Sequence, residues 1–273
     1  MYTFKYIPNV KRDTDNYNLS SLLKVKTAPT IPLPEEIVDE ITLGDGTTSY
    51  RHTGVYKDRK IEIECSFVKK SKQAWLDNFS AIKRYFKTQQ GTLFLESEDL
   101  HHYFKVKKID IDINSRIHGV ASEFTITFTC APYRYLIQYS KPYSLVTDKT
   151  VKLNNPYELS CPVYRIYNTS TNAQRISILC GNNALFIDDP FEQYIDYHEE
   201  RYKVTYIDID TESECMITHY KHISSEETIS RYTTIKTSGA FDGITLKEGI
   251  NEIYCAVDIG ALSIDILRNY REL

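Results

Sequence analysis

The strictest constraint in this chain is a pair of alternating runs. In IEIECSF, Ile61, Ile63, Cys65 and Phe67 fall on one face, with Glu62, Glu64 and Ser66 on the other. In EFTITFTC, Phe124, Ile126, Phe128 and Cys130 do the same. A period of two residues is the signature of a strand with one buried face, and it is incompatible with a helix. Between the runs the period changes. Trp75, Phe79, Ile82 and Phe86 recur at i, i+4, i+7 and i+11, one stripe of an α-helix. Ser71 is placed to cap its start, Lys83, Arg84 and Lys87 suit its C-terminal dipole, and Gly91 is read as its end. The predicted helix is about 16 residues, roughly 24 Å long. Its aromatic stripe reads as core against a sheet.

Other strands follow the same logic. TLFLE is a short strand and SEDLHH its turn. In YFKVKKIDIDI the apolar set sits on even numbers at Phe104 and Val106, then on odd numbers at Ile109, Ile111 and Ile113. That slip around Lys107-Lys108 predicts a β-bulge, or a strand that changes which face it buries. Pro132 is read as the end of the EFTITFTC strand. Upstream, EEIVDEITL and TSYRHTGVY flank Gly44-Asp45-Gly46, a hairpin signal. Residues 1–35 read as irregular, with turns marked at Asn9, Asp13, Asp15 and Asn16, three prolines in TAPTIPLPEE, and one short edge strand at Leu22-Leu23-Lys24-Val25.

Residues 136–160 carry Pro142, Pro156 and Asn154-Asn155, and the domain crossing is placed there. Beyond it lie only short strand-like runs separated by polar turns, which argues a β-sandwich. The expected class is therefore mainly β. Residues 1–140 form a β-rich domain with one α-helix and a long hairpin, and residues 141–273 form a β-sandwich. The 22 tyrosines strengthen the β leaning.

Composition excludes several functions. The net charge of −4 offers no basic footprint for phosphate contacts. No apolar run approaches the ~20 residues that span a bilayer, so no membrane insertion is expected. MYTFKYIPNVKRD lacks the apolar core of a signal peptide, which points to synthesis and folding in a cytoplasm. The six cysteines are scattered without a CxxC pair and read as free thiols rather than a zinc site.

Candidate chemistry is sparse. Glu96, Glu98, Asp99, His101 and His102 are the best metal-ligand set, but they sit in a turn, where polar residues belong. Asp208, Asp210, Glu212 and Glu214 alternate along YIDIDTESE; paired carboxylates serve glycosidases, yet alternating acids are also the solvated face of a strand. His198-Glu199-Glu200 lacks metalloprotease spacing. Tyrosines of the sandwich suit sugar stacking or plain strand packing. Asn168-Thr169-Ser170 matches a glycosylation acceptor, meaningful only on a secretory route. No cofactor, catalytic or metal site is assigned, and the chain is read as not an enzyme.

The order of motifs then resembles a known family. PTIPLPEEIVDEITLGDG, the turn Tyr56-Lys57-Asp58-Arg59, WLDNFSAIKRYFKTQQGTLFL, DLHHYFKVKKIDI, SEFTITFTCAPYRY, NPYELSCPVYRIYNTSTN, YIDIDTESE and the terminal DILRNYREL look like the siphophage distal tail protein (Dit) family. The terminal stretch has Arg268-Asn269-Tyr270-Arg271 where the family has an aromatic-flanked arginine pair.

The resemblance implies a ring-forming N-terminal domain, a galectin-like sandwich, and a hexameric ring that joins the tail tube to the tip or baseplate. DNA would pass through its lumen without specific binding. Implied partners are further copies of the chain, the tail tube protein, a hub or tip protein, a receptor-binding protein and a host carbohydrate. The implied location is the virion, after assembly in the host cytoplasm. A hairpin from Thr92 to Ile113 is expected to reach a neighbouring copy, with Phe94, Phe104, Lys107 and Lys108 near that contact. The alternatives are a lectin-like module and a carboxylate-dependent glycoside hydrolase.

Overall fold

The computed structural model describes residues 2–9, 19–117, 120–167, 175–188, 194–232 and 236–273. The chain divides into two units, Met1–Ile137 with Leu273 and Gln138–Glu272. The first unit holds β1 (Lys5–Pro8), α1 (Leu19–Leu22), β2 (Lys24–Val25), β3 (Glu36–Thr42), β4 (Thr48–Tyr56), β5 (Arg59–Val68), α2 (Lys72–Tyr85), β6 (Gly91–Phe94), β7 (His102–Ile117) and β8 (Ala121–Leu136).

Strands β1, β6, β7, β8, β5 and β2 hydrogen-bond in that order, while β3 and β4 form a separate two-stranded sheet. The two alternating runs lie side by side. Ile61 faces Phe128, Ile63 faces Ile126 and Cys65 faces Phe124, all fully buried. Helix α2 covers this face. Its stripe meets the sheet through ring pairs Phe67–Trp75 (6.2 Å), Phe79–Phe124 (6.5 Å) and Phe86–Phe128 (6.0 Å). The Trp75 indole N–H donates to Ser122 Oγ at 2.8 Å, which satisfies the one polar atom the stripe buries. Ser71 caps α2 by accepting from the Ala74 amide at 3.2 Å, as expected.

The helix stops at Tyr85, before Gly91. Gly91 instead opens β6, where a Cβ would stand 2.4 Å from the Ile7 carbonyl and 2.6 Å from the Tyr6 ring. It is glycine because β1 passes against it, so the end-of-helix reading is corrected. The N-terminal stretch is also less irregular than its prolines suggest. Lys5–Pro8 is an edge strand, and Tyr6 packs against Tyr85, Phe86 and Phe128. Leu22 closes the short α1, leaving only Lys24–Val25 as strand beside β5.

The slip at Lys107 is a bulge. Val106 pairs with Cys130 and Lys108 with Thr129, so Lys107 is the extra residue. It lets Phe104 and Val106 on one side, and Ile109 on the other, all face the core. Pro132 does not end β8, which runs on to Leu136. The ladder shifts instead, pairing Phe104 with Arg134 and Val106 with Cys130, so the proline sits where no ladder donor is required. The turn marks at Asp13, Asp15 and Asn16, and the acceptor at Asn168-Thr169-Ser170, lie outside the described residues.

The second unit holds β9 (Tyr143–Val146), β10 (Lys149–Asn155), β11 (Val163–Tyr167), β12 (Arg175–Cys180), β13 (Asn183–Asp188), β14 (Tyr194–Tyr197), β15 (Glu200–Asp210), β16 (Cys215–His222), β17 (Thr228–Tyr232), β18 (Lys236–Gly239), β19 (Gly249–Val257) and β20 (Ser263–Leu267). They form a sandwich. One sheet runs β10-β19-β12-β13-β18, the other β17-β16-β15-β11-β20-β9 with β14 beside β15. Ile176, Ile178 and Ile253 on the first face, and Tyr164, Ile166, Ile207 and Ile264 on the second, are buried. Tyr164 lies beside Cys180 and Cys255 of the opposite sheet. Burial, with those thiols next to it, pushes its phenol well above the ordinary value, and its hydroxyl donates to the Ile244 carbonyl at 2.7 Å. The Asn pair read as linker is structural: Asn155 is fully buried and its amide donates to Glu158 and Leu246 carbonyls. All six cysteines are free, and only Cys215 is half-exposed.

Candidate functional site

The site the first unit offers is a junction. Strands β3 and β4 leave the sheet as a ribbon, and the turn Tyr56-Lys57-Asp58-Arg59 ties its root down. The Lys57 amide and ammonium both reach Glu35, each at 2.8 Å. Asp58 accepts from Lys107 Nζ at 2.6 Å. Tyr56 meets Tyr133 edge-on with centroids 6.3 Å apart. Arg59 is buried, at 3% exposure; it donates to the Pro32 carbonyl at 3.3 Å and to the Pro132 carbonyl, and lies over the Phe104 ring. Burial and the neighbouring Arg134 both weaken its hold on its proton. Four consecutive residues thus clamp the ribbon to three segments: residues 32–35, β7 and β8.

Beyond the root the ribbon is exposed. Every residue of β3 and β4 except Glu36 and Tyr56 is exposed, including Ile41 at 48%, Tyr50 at 56% and Val55 at 55%. The tip is well formed: Gly46 adopts φ +82°, the Leu43 amide donates to Thr47 O, and Asp45 accepts from the Thr47 amide. At the root Glu36 accepts from His52 and from the Gly54 amide, which hold its carboxyl below the ordinary value. A two-stranded ribbon with apolar side chains in water is marginal by itself.

Of the residues expected near a neighbouring copy, Lys107 braces the root of this ribbon through Asp58 and Phe104 lies under Arg59. Strands β6 and β7 pair with β1 and β8 within the sheet of their own unit. Phe104 is fully buried in its own unit. Phe94 is half-buried against Tyr103, with centroids 5.8 Å apart. Lys108 pairs with Asp110 at 2.9 Å.

The other candidates resolve into local structure. Asp99 accepts from the amides of His101 and His102 and from the His102 ring at 2.8 Å, which is turn capping. Among the described residues, no three His, Cys, Asp or Glu side chains converge on a point. His198 and Glu199, at φ +50° and +66°, are the two-residue turn between β14 and β15, where Tyr197 pairs with Glu200.

The acidic strand is not simply a solvated face. Asp208 is buried, at 8% exposure. Arg165 grips it with two hydrogen bonds of 2.7 and 2.8 Å, and His219 Nε2 lies 3.1 Å away. Tyr206 is sandwiched, with the Arg165 guanidinium 4.4 Å from one ring centroid and His219 stacked at 4.2 Å. Burial alone would raise the Asp208 carboxyl, but the hydrogen bonds and charges of Arg165 and His219 outweigh it and hold it low. Asp210 caps the next turn through the Glu212 and Ser213 amides, and Glu212 pairs with the buried Arg271 at 2.9 Å. Asp208, Asp210 and Glu212 are therefore committed to structural contacts. The terminal arginines do find aromatic company in space: Arg268 lies over Tyr139 and Tyr270.

These elements define a fold class: a mainly β protein with a helix-backed sheet carrying an exposed ribbon, followed by a β-sandwich. That architecture is shared with phage distal tail and baseplate proteins. The SPP1 Dit protein (gp 19.1), a paradigm of the hub adsorption apparatus in Gram-positive-infecting phages, matches with a TM-score of 0.53 over 100% of both chains at 13% identity. A chain of the phage P2 baseplate in its Ca-activated conformation matches with a TM-score of 0.55, covering 97% of this chain and 98% of that one at 10% identity. The Sr-activated form matches equally. No protein-family model and no curated protein sequence matches the chain.

Proposed function

We propose that this chain is a structural component of a phage tail tip or baseplate, and that copies of it close into a ring between the tail tube and the host-adsorption apparatus. The observation that carries this reading is the β3–β4 ribbon, clamped at its root and exposed beyond it. Such an element gains stability only against another surface, and in a homo-oligomer that surface is a different patch of the next copy. Heterologous contacts of this kind form a ring when the rotation from copy to copy closes. Six copies is the number this reading takes for the ring. Phe94, Lys107 and Lys108 are assigned to the receiving surface near the clamp. A net charge of −4 suits a lumen through which DNA slides without sticking. The role is structural rather than enzymatic, and the location is the virion. Light scattering and negative-stain imaging of the purified chain test it: closed rings support the reading, and a strictly monomeric mass at high concentration overturns it.

A further inference from the structure

Three neighbouring strands of the sandwich unit bring together a hydroxyl, an imidazole and a carboxylate. Ser230 on β17 lies directly opposite His219 on β16, and its Oγ is 2.8 Å from His219 Nδ1. The other ring nitrogen, Nε2, is closed to solvent. Asp208 Oδ2 of β15 stands 3.1 Å from it, off the line of an ideal hydrogen bond, and is the acceptor that a small shift of the ring satisfies. Asp208 is gripped by Arg165 and, as a carboxylate, only accepts, so the proton of a neutral His219 belongs on Nε2. Nδ1 then carries the lone pair, and the Ser230 hydroxyl donates to it. Neighbours fix the ring. It stacks on Tyr206, directly opposite on β15, with centroids 4.2 Å apart. Thr205, the extra residue where the β15 register shifts, donates its hydroxyl to the His219 carbonyl at 2.8 Å.

A second serine–histidine pair in the same unit is built differently. Ser225 Oγ lies 2.9 Å from His222 Nδ1, but that nitrogen also accepts from the Ser224 amide at 3.2 Å. Ser225 Oγ in turn accepts from the Glu227 amide at 3.3 Å. Glu200, the acid nearest Nε2, is 3.7 Å away and 54% exposed. These bonds spend the lone pairs on holding a turn. At Ser230 the imidazole lone pair faces the hydroxyl alone.

We infer that Ser230 is an activated nucleophile, with His219 as its base and Asp208 positioning the ring, and that it takes acyl groups from esters with a good leaving alcohol. A hydroxyl bonded to a base that a third group orients is the arrangement that makes serine reactive. Oγ adds to the ester carbonyl carbon while its proton passes to Nδ1. The bond from that carbon to the leaving oxygen breaks, and the departing alcohol takes the proton. Water, giving a proton to Nδ1, then adds to the acyl carbon; the acid leaves, and Nδ1 returns the proton to Oγ. Base assistance of this kind contributes about 10²–10⁴-fold. β17 is an edge strand and Ser230 is exposed, so the ester reaches it from open solvent. The inference stands apart from the ring, because Ser230 and the ribbon belong to different units.

The test exposes the full chain to p-nitrophenyl acetate, quenches in acid and maps acetyl groups by peptide mass spectrometry. Ser230 is expected to be acetylated about 100-fold faster than Ser225. His219→Gln is expected to abolish that advantage, an unchanged thermal midpoint certifying its fold. Imidazole nitrogen NMR at about pH 8, above the ordinary histidine range, reads the positioning. The His219 proton is expected on Nε2 in the native chain and shared between both nitrogens in Asp208→Asn. Acetylation of Ser230 no faster than of Ser225, an undiminished rate in His219→Gln, or a native His219 proton on Nδ1 overturns the inference. The first and last of these need no variant, so a variant that fails to fold leaves the test intact.

Discussion

Lys107 and Asp58 meet at 2.6 Å, which joins the bulge of β7 to the turn that launches the exposed ribbon. The two residues are 49 positions apart. The bulge pushes Lys107 out of the ladder, and Asp58 is where the pushed-out ammonium lands. A feature that re-phases the core on one side therefore braces the ribbon on the other.

Lys107→Glu tests that brace. Both side chains are more than a third exposed, 55% and 36%, so the pair contributes about 0–1 kcal/mol to folding. Urea unfolding is expected to change by no more than that. The oligomer mass in sedimentation is expected to fall, because the ribbon's launch angle is released. A variant that still forms full rings would show the brace to be irrelevant to assembly.

Ile41→Asp combined with Tyr50→Asp separates assembly from folding more sharply. Both positions are about half exposed, and surface changes of this kind usually shift stability by about 0.5 kcal/mol or less each. The thermal midpoint of the dilute monomer should hold while ring formation is lost. Retained rings in negative stain would assign the contact to another surface.

Phe128→Ala probes the core of the first unit. Phe128 is fully buried and packs against Phe4, Tyr6 and Phe86. Truncation should cost about 3–5 kcal/mol in chemical denaturation. Ser71→Ala, which removes the α2 cap, should cost about 1 kcal/mol.

Asp208 makes the sandwich acid-sensitive. Its folded carboxyl titrates below its ordinary value, so its contribution is complete above the unfolded-state value near pH 4 and is lost as the pH falls through the lower folded value. Stability measured from pH 6 to pH 2 should fall in that acid window. Asp208→Asn should flatten the fall while lowering stability at pH 7, since Arg165 then loses its carboxylate. An unchanged acid profile in the variant would remove Asp208 from the account.

The candidate site was legible in pieces. The motif Tyr56-Lys57-Asp58-Arg59 and the slip at Lys107 were both visible in the sequence, but not that they touch. The hairpin at Gly44-Asp45-Gly46 was visible too, though its exposure was not: EIVDEIT has the apolar content of a half-buried strand, and nothing within seven residues says that no surface lies over it.

By itself the sequence determined the paired alternating strands at 61–67 and 124–130, the helix stripe from Trp75 to Phe86 that covers them, and the bulge at Lys107. Each follows from a repeat of two or 3.6 residues, and such periods are local. Only the tertiary structure decided that Asp208 is buried while Ile41 is exposed. Burial depends on which remote strands lie alongside, here Arg165 on β11 and His219 on β16 around Asp208, and no described part of the chain over Ile41.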